Sequence, residues 1–305
     1  MEQTMANAGV EGKTVIVTGA GRGIGRDIAL LMALHGARVV VNDLGVSLTG
    51  EPGGDSPARE TVAEILAAGG QAVANEDSVA EWEGAQSLVA LAVETFGGLD
   101  AVINNAGIIR EVAFQDTSPA DFDRTVKVHL YGSFYVARAT APHFIAQKSG
   151  AYIHMTSSTG LIGRRNLSAY AAAKMGIVGL MRSIALDMAA YGVRSNCISP
   201  AAATRMSPVR ASAEKDEAFR ARVRGDQVAP LALFLASDAA AAINGQIIGV
   251  RRNELYLYNQ PRPVRTLHRA EGWTVEALAA QLIPAWGPSF VPLEETQNVF
   301  AWDAI

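Results

Sequence analysis

The chain has a single cysteine, Cys197, in 305 residues. No internal disulfide can form, which excludes a disulfide-stapled secreted scaffold and fits a reducing compartment. Charge is also scarce: 18% of residues are Asp, Glu, Lys or Arg, against about 25% in typical soluble domains. A net charge of -4 leaves no electrostatic footprint for nucleic acid. No apolar run approaches the ~18 residues expected of a membrane span. The opening "MEQTMANAGVEGK" has no apolar core of a secretory leader, and the closing "WDAI" carries no recognisable address signal. His35, His143, His154 and His268 lack ligand-like spacing, so no metal site is expected. The expectation is a cytoplasmic protein working on a small molecule, without metal, nucleic acid or membrane.

What is present is apolar residue, 49% of the chain. Such an excess suits a parallel sheet covered on both faces, whose strands are buried twice over. Short β-branched runs at Thr14–Thr18, Arg38–Asn42, Ala101–Asn104, Tyr152–Thr156 and Val193–Ser199 read as strands, with "GQIIGV" as the last. Helical spacing covers Ile24–Leu34, Ala58–Ala67, Val79–Phe96, Pro119–Gln147 and Ser168–Ala190. This alternation predicts an α/β fold, a doubly wound parallel sheet with right-handed crossovers. One domain is expected over residues 1–250, with a C-terminal extension over 251–305 packed on the body or on a partner subunit. A polar stretch at about 205–226 suits either a substrate lid or a solvated surface helix.

"TVIVTGAGRGIG" sets Gly19, Gly23 and Gly25 after a strand and at the opening of a helix. A backbone that turns tightly there brings exposed N–H groups and the positive helix end against a pyrophosphate. The second strand ends in "NDLG", which puts Asp43 at the neighbouring strand end. An acid at that position accepts hydrogen bonds from ribose hydroxyls and repels an additional phosphate. NAD is therefore favoured over NADP, although Arg22 in the loop has the charge to attract that phosphate. In "SAYAAAKMG", Tyr170 and Lys174 stand four residues apart, on one face of a helix. That pattern alone suits a proton-transfer pair or a helix packing through its alanines.

"TGAGRGIG", "NNAG" (Asn104–Gly107), a serine in "MTSSTG" and Tyr170-x-x-x-Lys174 occur in the order shown by the short-chain dehydrogenase/reductase family, which the chain resembles from about residue 12 to about residue 250. "NDLG", "VHLYGSF" and "VAPL" are similar to the (3R)-hydroxyacyl-CoA dehydrogenase modules of type 2 multifunctional enzymes and their bacterial relatives.

The resemblance implies a Rossmann-type NAD-dependent alcohol dehydrogenase, homodimeric or homotetrameric, with a homotetramer favoured. Tyr170 would be the acid/base, Lys174 its electrostatic partner and Ser157 the group that binds the reacting oxygen. The glycine loop with Arg22 and Ile24, then Asp43, Asp77, Ser78, Asn105, Ala106 and Gly107 would line the cofactor. Tyr170 and Lys174 would also touch it, as would Pro200, Ala203 and Thr204. The family's usual fourth member is an asparagine, and "VKVHL" offers His129 there instead, as a relay residue or as a packed helical histidine. Arg164, Arg165 and the arginines of the 205–226 stretch suit coenzyme A phosphates or plain solvation. The implied substrate is a secondary alcohol or ketone, first a 3-hydroxyacyl thioester and next a hydroxysteroid. A protein that binds NAD without catalysis is the remaining alternative.

Overall fold

A computed structural model describes residues 9–47, 56–202, 217 and 221–302. Ala203, Thr204 and most of the 205–226 stretch lie outside the described residues. Seven parallel strands and one antiparallel edge strand make a single sheet, ordered β3-β2-β1-β4-β5-β6-β7-β8. In chain order these are β1 (Thr14–Thr18), β2 (Arg38–Asn42), β3 (Gln71–Asn75), β4 (Ala101–Asn104), β5 (Gly150–Met155), β6 (Val193–Ala201), β7 (Ile247–Arg251) and β8 (Glu254–Leu257).

Strand side chains alternate between the faces. Val15 and Val17 of β1 join one apolar layer, with Ile28 and Met32 of helix α1 (Gly23–Leu34). Ile16 joins the other, with Leu88 of a helix at Trp82–Phe96 and Val136 and Phe144 of a helix at Gly132–Gln147. Both faces are therefore dry, as the apolar composition requires.

The helix expected over Pro119–Gln147 is interrupted. Regular turns at Pro119–Val126 and Gly132–Gln147 flank a π-helical turn at Lys127–Tyr131, which carries His129. A π turn is a single-residue excess in the helical ladder, and such turns recur at functional sites. A helix at Ser168–Asp187 bears Tyr170 and Lys174, with a mean hydropathy of 1.2 over its most apolar window. By length and composition alone it suffices to cross a membrane. Its apolarity has a local reason, because Ile177, Val178 and Met181 form one buried cluster with Cys197 of β6 and Ile247 of β7.

Two strands were not expected. β3, "QAVAN", has a single β-branched residue and is recruited by pairing with β2. β8 pairs antiparallel with β7, Arg251 opposite Glu254, so the expected boundary at residue 250 falls inside a hairpin. The extension then forms helices at Val275–Trp286 and Thr296–Val299 and returns to the body.

Candidate active site

Consecutive strands of one parallel sheet deliver their loops to one edge, and the loops after β1, β2, β3, β4 and β5 carry expected site residues. After β1 the chain turns at Gly19, whose φ of +62° is a left-handed conformation that favours glycine. Gly25, inside the first turn of α1, is required for space: a side chain there would overlap the Gly19 carbonyl and the Asn105 amide. Arg22 caps α1 without a side-chain hydrogen bond to its N–H groups, and no acidic residue stands in its first turn. That helix end retains the positive character suited to an anion.

Thr18, absent from the sequence expectations, fastens this loop to the next one. Its hydroxyl accepts the N–H groups of Asn105 and Ala106, each at 3.0 Å. Asn105 replies with its amide, which donates to the carbonyls of Thr18 at 3.0 Å and Gly19 at 3.1 Å. Asn105 is thus a clasp of the phosphate loop. Gly21 was missed as well. Its N–H donates to Asp43 Oδ2 at 3.0 Å, while Gly45 N–H donates to Oδ1 at 2.9 Å. The signal for Gly21 was its place among the loop glycines, but its partner lies across a strand end and left no local pattern.

Asp77 is held from two sides, its Oδ2 accepting from Asn75 at 2.8 Å and Ser87 at 2.6 Å. Ser78 Oγ accepts the Ala80 N–H at 3.3 Å. Pro200 lies at the far end of β6, paired in register with Val250. These positions form a continuous rim from β3 to β6, and the loop, helix end and carboxylate together fit an unphosphorylated dinucleotide.

Ser157 follows β5 directly, and its Oγ accepts the Thr159 N–H at 3.1 Å, capping a short helix at Ser158–Leu161. Its hydroxyl is also near enough to the Tyr170 phenol to favour the ionised form. Burial raises the Tyr170 pKa, and the Ser157 hydroxyl and the Arg164 charge oppose the rise. Lys174 is buried, and its Nζ donates to the Met155 carbonyl at 2.7 Å and lies 5.5 Å from the Tyr170 ring centroid. Burial brings its pKa down to about 7. Ser157 and Arg164 thus join Lys174, whose amine donates to a carbonyl, around the phenol. An amine that titrates near neutrality is suited to exchange a proton with a neighbouring phenol.

His129 is buried between the "NNAG" loop and Tyr170. A side chain at Gly107 would overlap its imidazole, and its ring meets Tyr170 edge-on with centroids 5.1 Å apart. Nε2 lies 2.7 Å from the Ile108 carbonyl and 3.2 Å from the Ile108 N–H, so the ring's tautomer selects which of the two it bonds. Burial, then the nearby Lys174 charge, hold its pKa well below the usual histidine range, so the ring is neutral. Its carbonyl accepts the Ser133 hydroxyl at 2.7 Å. His129 packs against the phenol and makes no hydrogen bond to it.

Arg164 Nη2 lies 3.8 Å from Glu111, and Arg165 Nε pairs with Glu295 at 2.8 Å. Each of these arginines faces a carboxylate, one of them from the C-terminal extension. Among the described residues no group of three or more His, Cys, Asp or Glu is placed to hold a metal ion.

A family model described as "Enoyl-(Acyl carrier protein) reductase" matches residues 19–251. The chain belongs to the short-chain dehydrogenase/reductase family. A putative short-chain type dehydrogenase/reductase of Mycobacterium tuberculosis is 42% identical over 233 residues, 76% of this chain and 80% of that protein. Mouse peroxisomal multifunctional enzyme type 2 is 41% identical over 235 residues, 77% of this chain but 31% of that enzyme. A short chain dehydrogenase from Mycobacterium avium superposes with a TM-score of 0.84 at 38% identity, covering 94% of this chain and 99% of that one. A 7α-hydroxysteroid dehydrogenase complexed with NADH and 7-oxo glycochenodeoxycholic acid gives 0.72 at 31% identity, covering 81% of this chain and 96% of that one. Membership makes this short-chain dehydrogenase/reductase an oxidoreductase.

Proposed function

We propose that this short-chain dehydrogenase/reductase interconverts a secondary alcohol and its ketone with NAD(H), and that its substrate is a 3-hydroxyacyl thioester. The observation that carries the reading is the buried Lys174 amine one helical turn from Tyr170 and 5.5 Å from its ring centroid, with Ser157 at the end of the strand whose Met155 carbonyl that amine holds, together with the Asp43-backed phosphate loop. NAD supplies the hydride acceptor. Ser157 holds the substrate oxygen and stabilises charge as it develops there. Tyr170 takes the hydroxyl proton in oxidation and returns it in reduction. Lys174, buried beneath the phenol, keeps an exchangeable proton within reach. Asp43 accepts from the ribose hydroxyls with the lone pairs left by Gly21 and Gly45, and its charge disfavours a phosphorylated ribose.

For the thioester, support comes from similarity to the multifunctional enzymes, whose length this chain spans only in part. Leu161 and Ile162, partly buried beside Ser157, offer an apolar wall for an acyl chain. A hydroxysteroid is the second reading, supported by the bile-acid-bound neighbour. The exposed Phe122, Tyr131 and Phe134, on and around the π turn, supply apolar surface for self-association, and a homotetramer is proposed. Cytoplasmic residence is proposed from the lone buried thiol.

The test is NAD reduction measured over 3-hydroxyacyl thioesters, hydroxysteroids and small secondary alcohols. Thioester turnover exceeding the rest by kcat/KM is expected. Robust steroid oxidation with no detectable thioester oxidation would reverse the substrate assignment.

A further inference from the structure

The family match ends at residue 251, yet the chain beyond it is built onto the loop that joins Ser157 to Tyr170. The Thr296 N–H and hydroxyl both donate to the Gly163 carbonyl, at 2.9 and 3.0 Å. One residue earlier, Glu295 meets Arg165 at 2.8 Å. The other end of this segment is moored to the β7–β8 hairpin. Phe300 and Trp302 pack on Tyr256 with ring centroids 5.2 and 6.4 Å apart. Trp302 Nε1 donates to Glu254 at 3.0 Å, and Arg251 donates to the Trp302 carbonyl. The segment therefore spans from the sheet edge to the site loop.

The loop needs an outside hold. Gly163 sits at a φ of +137°, and Asn166 at +61°, conformations that an L side chain rarely adopts. Another backbone bond from a distant segment reaches it from Val112, whose N–H donates to the Asn166 carbonyl at 2.8 Å. Leu161, Ile162 and Arg164 are carried by this same loop, and Arg164 is one of the groups that favour tyrosinate at Tyr170.

We infer that Thr296 and Glu295 are positioning residues: they brace the 158–167 loop from beyond the residues that the family model matches and thereby set the substrate-facing wall. The inference about substrate rests on the function proposed above, whereas the brace itself does not. A solvent-exposed ion pair is worth little alone, so the paired donation by Thr296 is the stronger tether. Thr296 follows the N-cap Glu295 and opens its helix, a position where proline is accepted. Thr296→Pro therefore removes both donors without opposing the helix, and Thr296→Ser keeps both.

The experiment compares wild type, Thr296→Pro, Thr296→Ser, Glu295→Arg and the swapped pair Arg165→Glu with Glu295→Arg. Hydrogen exchange of the amides across 159–166 is read first. Exchange about tenfold faster in Thr296→Pro and Glu295→Arg is expected, with Thr296→Ser and the swapped pair close to wild type. Steady-state kinetics with a long-chain 3-hydroxyacyl thioester should then show KM raised about tenfold with a smaller change in kcat, and NADH affinity held. Unchanged exchange in both Thr296→Pro and Glu295→Arg would overturn the brace. Faster exchange with an unchanged KM would overturn its role in setting the wall. Absence of thioester turnover by the unmodified enzyme would defeat the proposed substrate, while the exchange readout still decides the brace.

Discussion

The Asp43 carboxylate receives the Gly21 N–H at 3.0 Å, so the residue that faces the ribose also shapes the loop that faces the phosphates. Charge-assisted hydrogen bonds of this kind contribute roughly 1.5–3 kcal/mol. Asp43→Ser should therefore weaken NAD by about tenfold or more, and gain for NADP only part of what it loses for NAD, because the loop loses its anchor too. Comparing kcat/KM for the two cofactors measures this. Equal use of NADP by the unmodified protein would show that Arg22 outweighs the carboxylate.

Removing the phenolic oxygen isolates the proton step. Tyr170→Phe should lower kcat by about 10²-fold or more, with NADH affinity within a few-fold of wild type. A variant that keeps more than about a tenth of the activity would take Tyr170 out of the mechanism. His129 touches only the ring of Tyr170, so the loss should come from the hydroxyl and not from packing.

Arg164 lowers the Tyr170 pKa through its charge. Arg164→Gln should shift the pH dependence of oxidation to higher pH, since a phenol with less positive charge nearby loses its proton later. A pH–rate profile for kcat/KM reads the displacement. An unmoved profile would mean that solvent screens this arginine completely.

Acid stability should carry the mark of His154. It is buried on β5, its Nδ1 3.2 Å from the Asn104 amide, and burial brings its pKa down to about 3. Below pH 6.5 the unfolded chain takes up a proton that the folded one refuses, so folded stability falls as pH falls, through the interval from about 6.5 to about 3. At pH 5 the loss from this one group is about 2 kcal/mol. His154→Gln should flatten the acid limb of a stability–pH curve measured by denaturant titration, whatever it does to stability at pH 8. Parallel curves would assign the acid sensitivity elsewhere.

Much of the site was legible because its information is local. Tyr170 and Lys174 share a helix face, Ser157 ends a strand and the glycines open a helix, and each pattern fits within a few residues. What stayed hidden depends on contacts between distant segments. Thr18 reads as a strand residue until the "NNAG" loop is laid beside it. Arg165 reads as a free cation until Glu295 arrives from 130 positions further along. β3 has too little β-branched character to declare itself and is defined by its neighbour. The π turn at His129 follows from one residue too many between two packed helical ends, which apolar periodicity does not register.

Cys197 lies on β6 opposite His154, fully enclosed, and burial pushes its pKa up to about 12. The thiolate is the reactive form, and the folded protein gives it neither charge nor an approach path. A maleimide or iodoacetamide label should therefore enter only as fast as the sheet opens, with the other sulfur atoms of the chain, all methionine thioethers, silent to these reagents under neutral conditions. The molecule thus contains its own clock: the rate of thiol labelling reports how often the middle of the sheet comes apart, and bound cofactor should slow it.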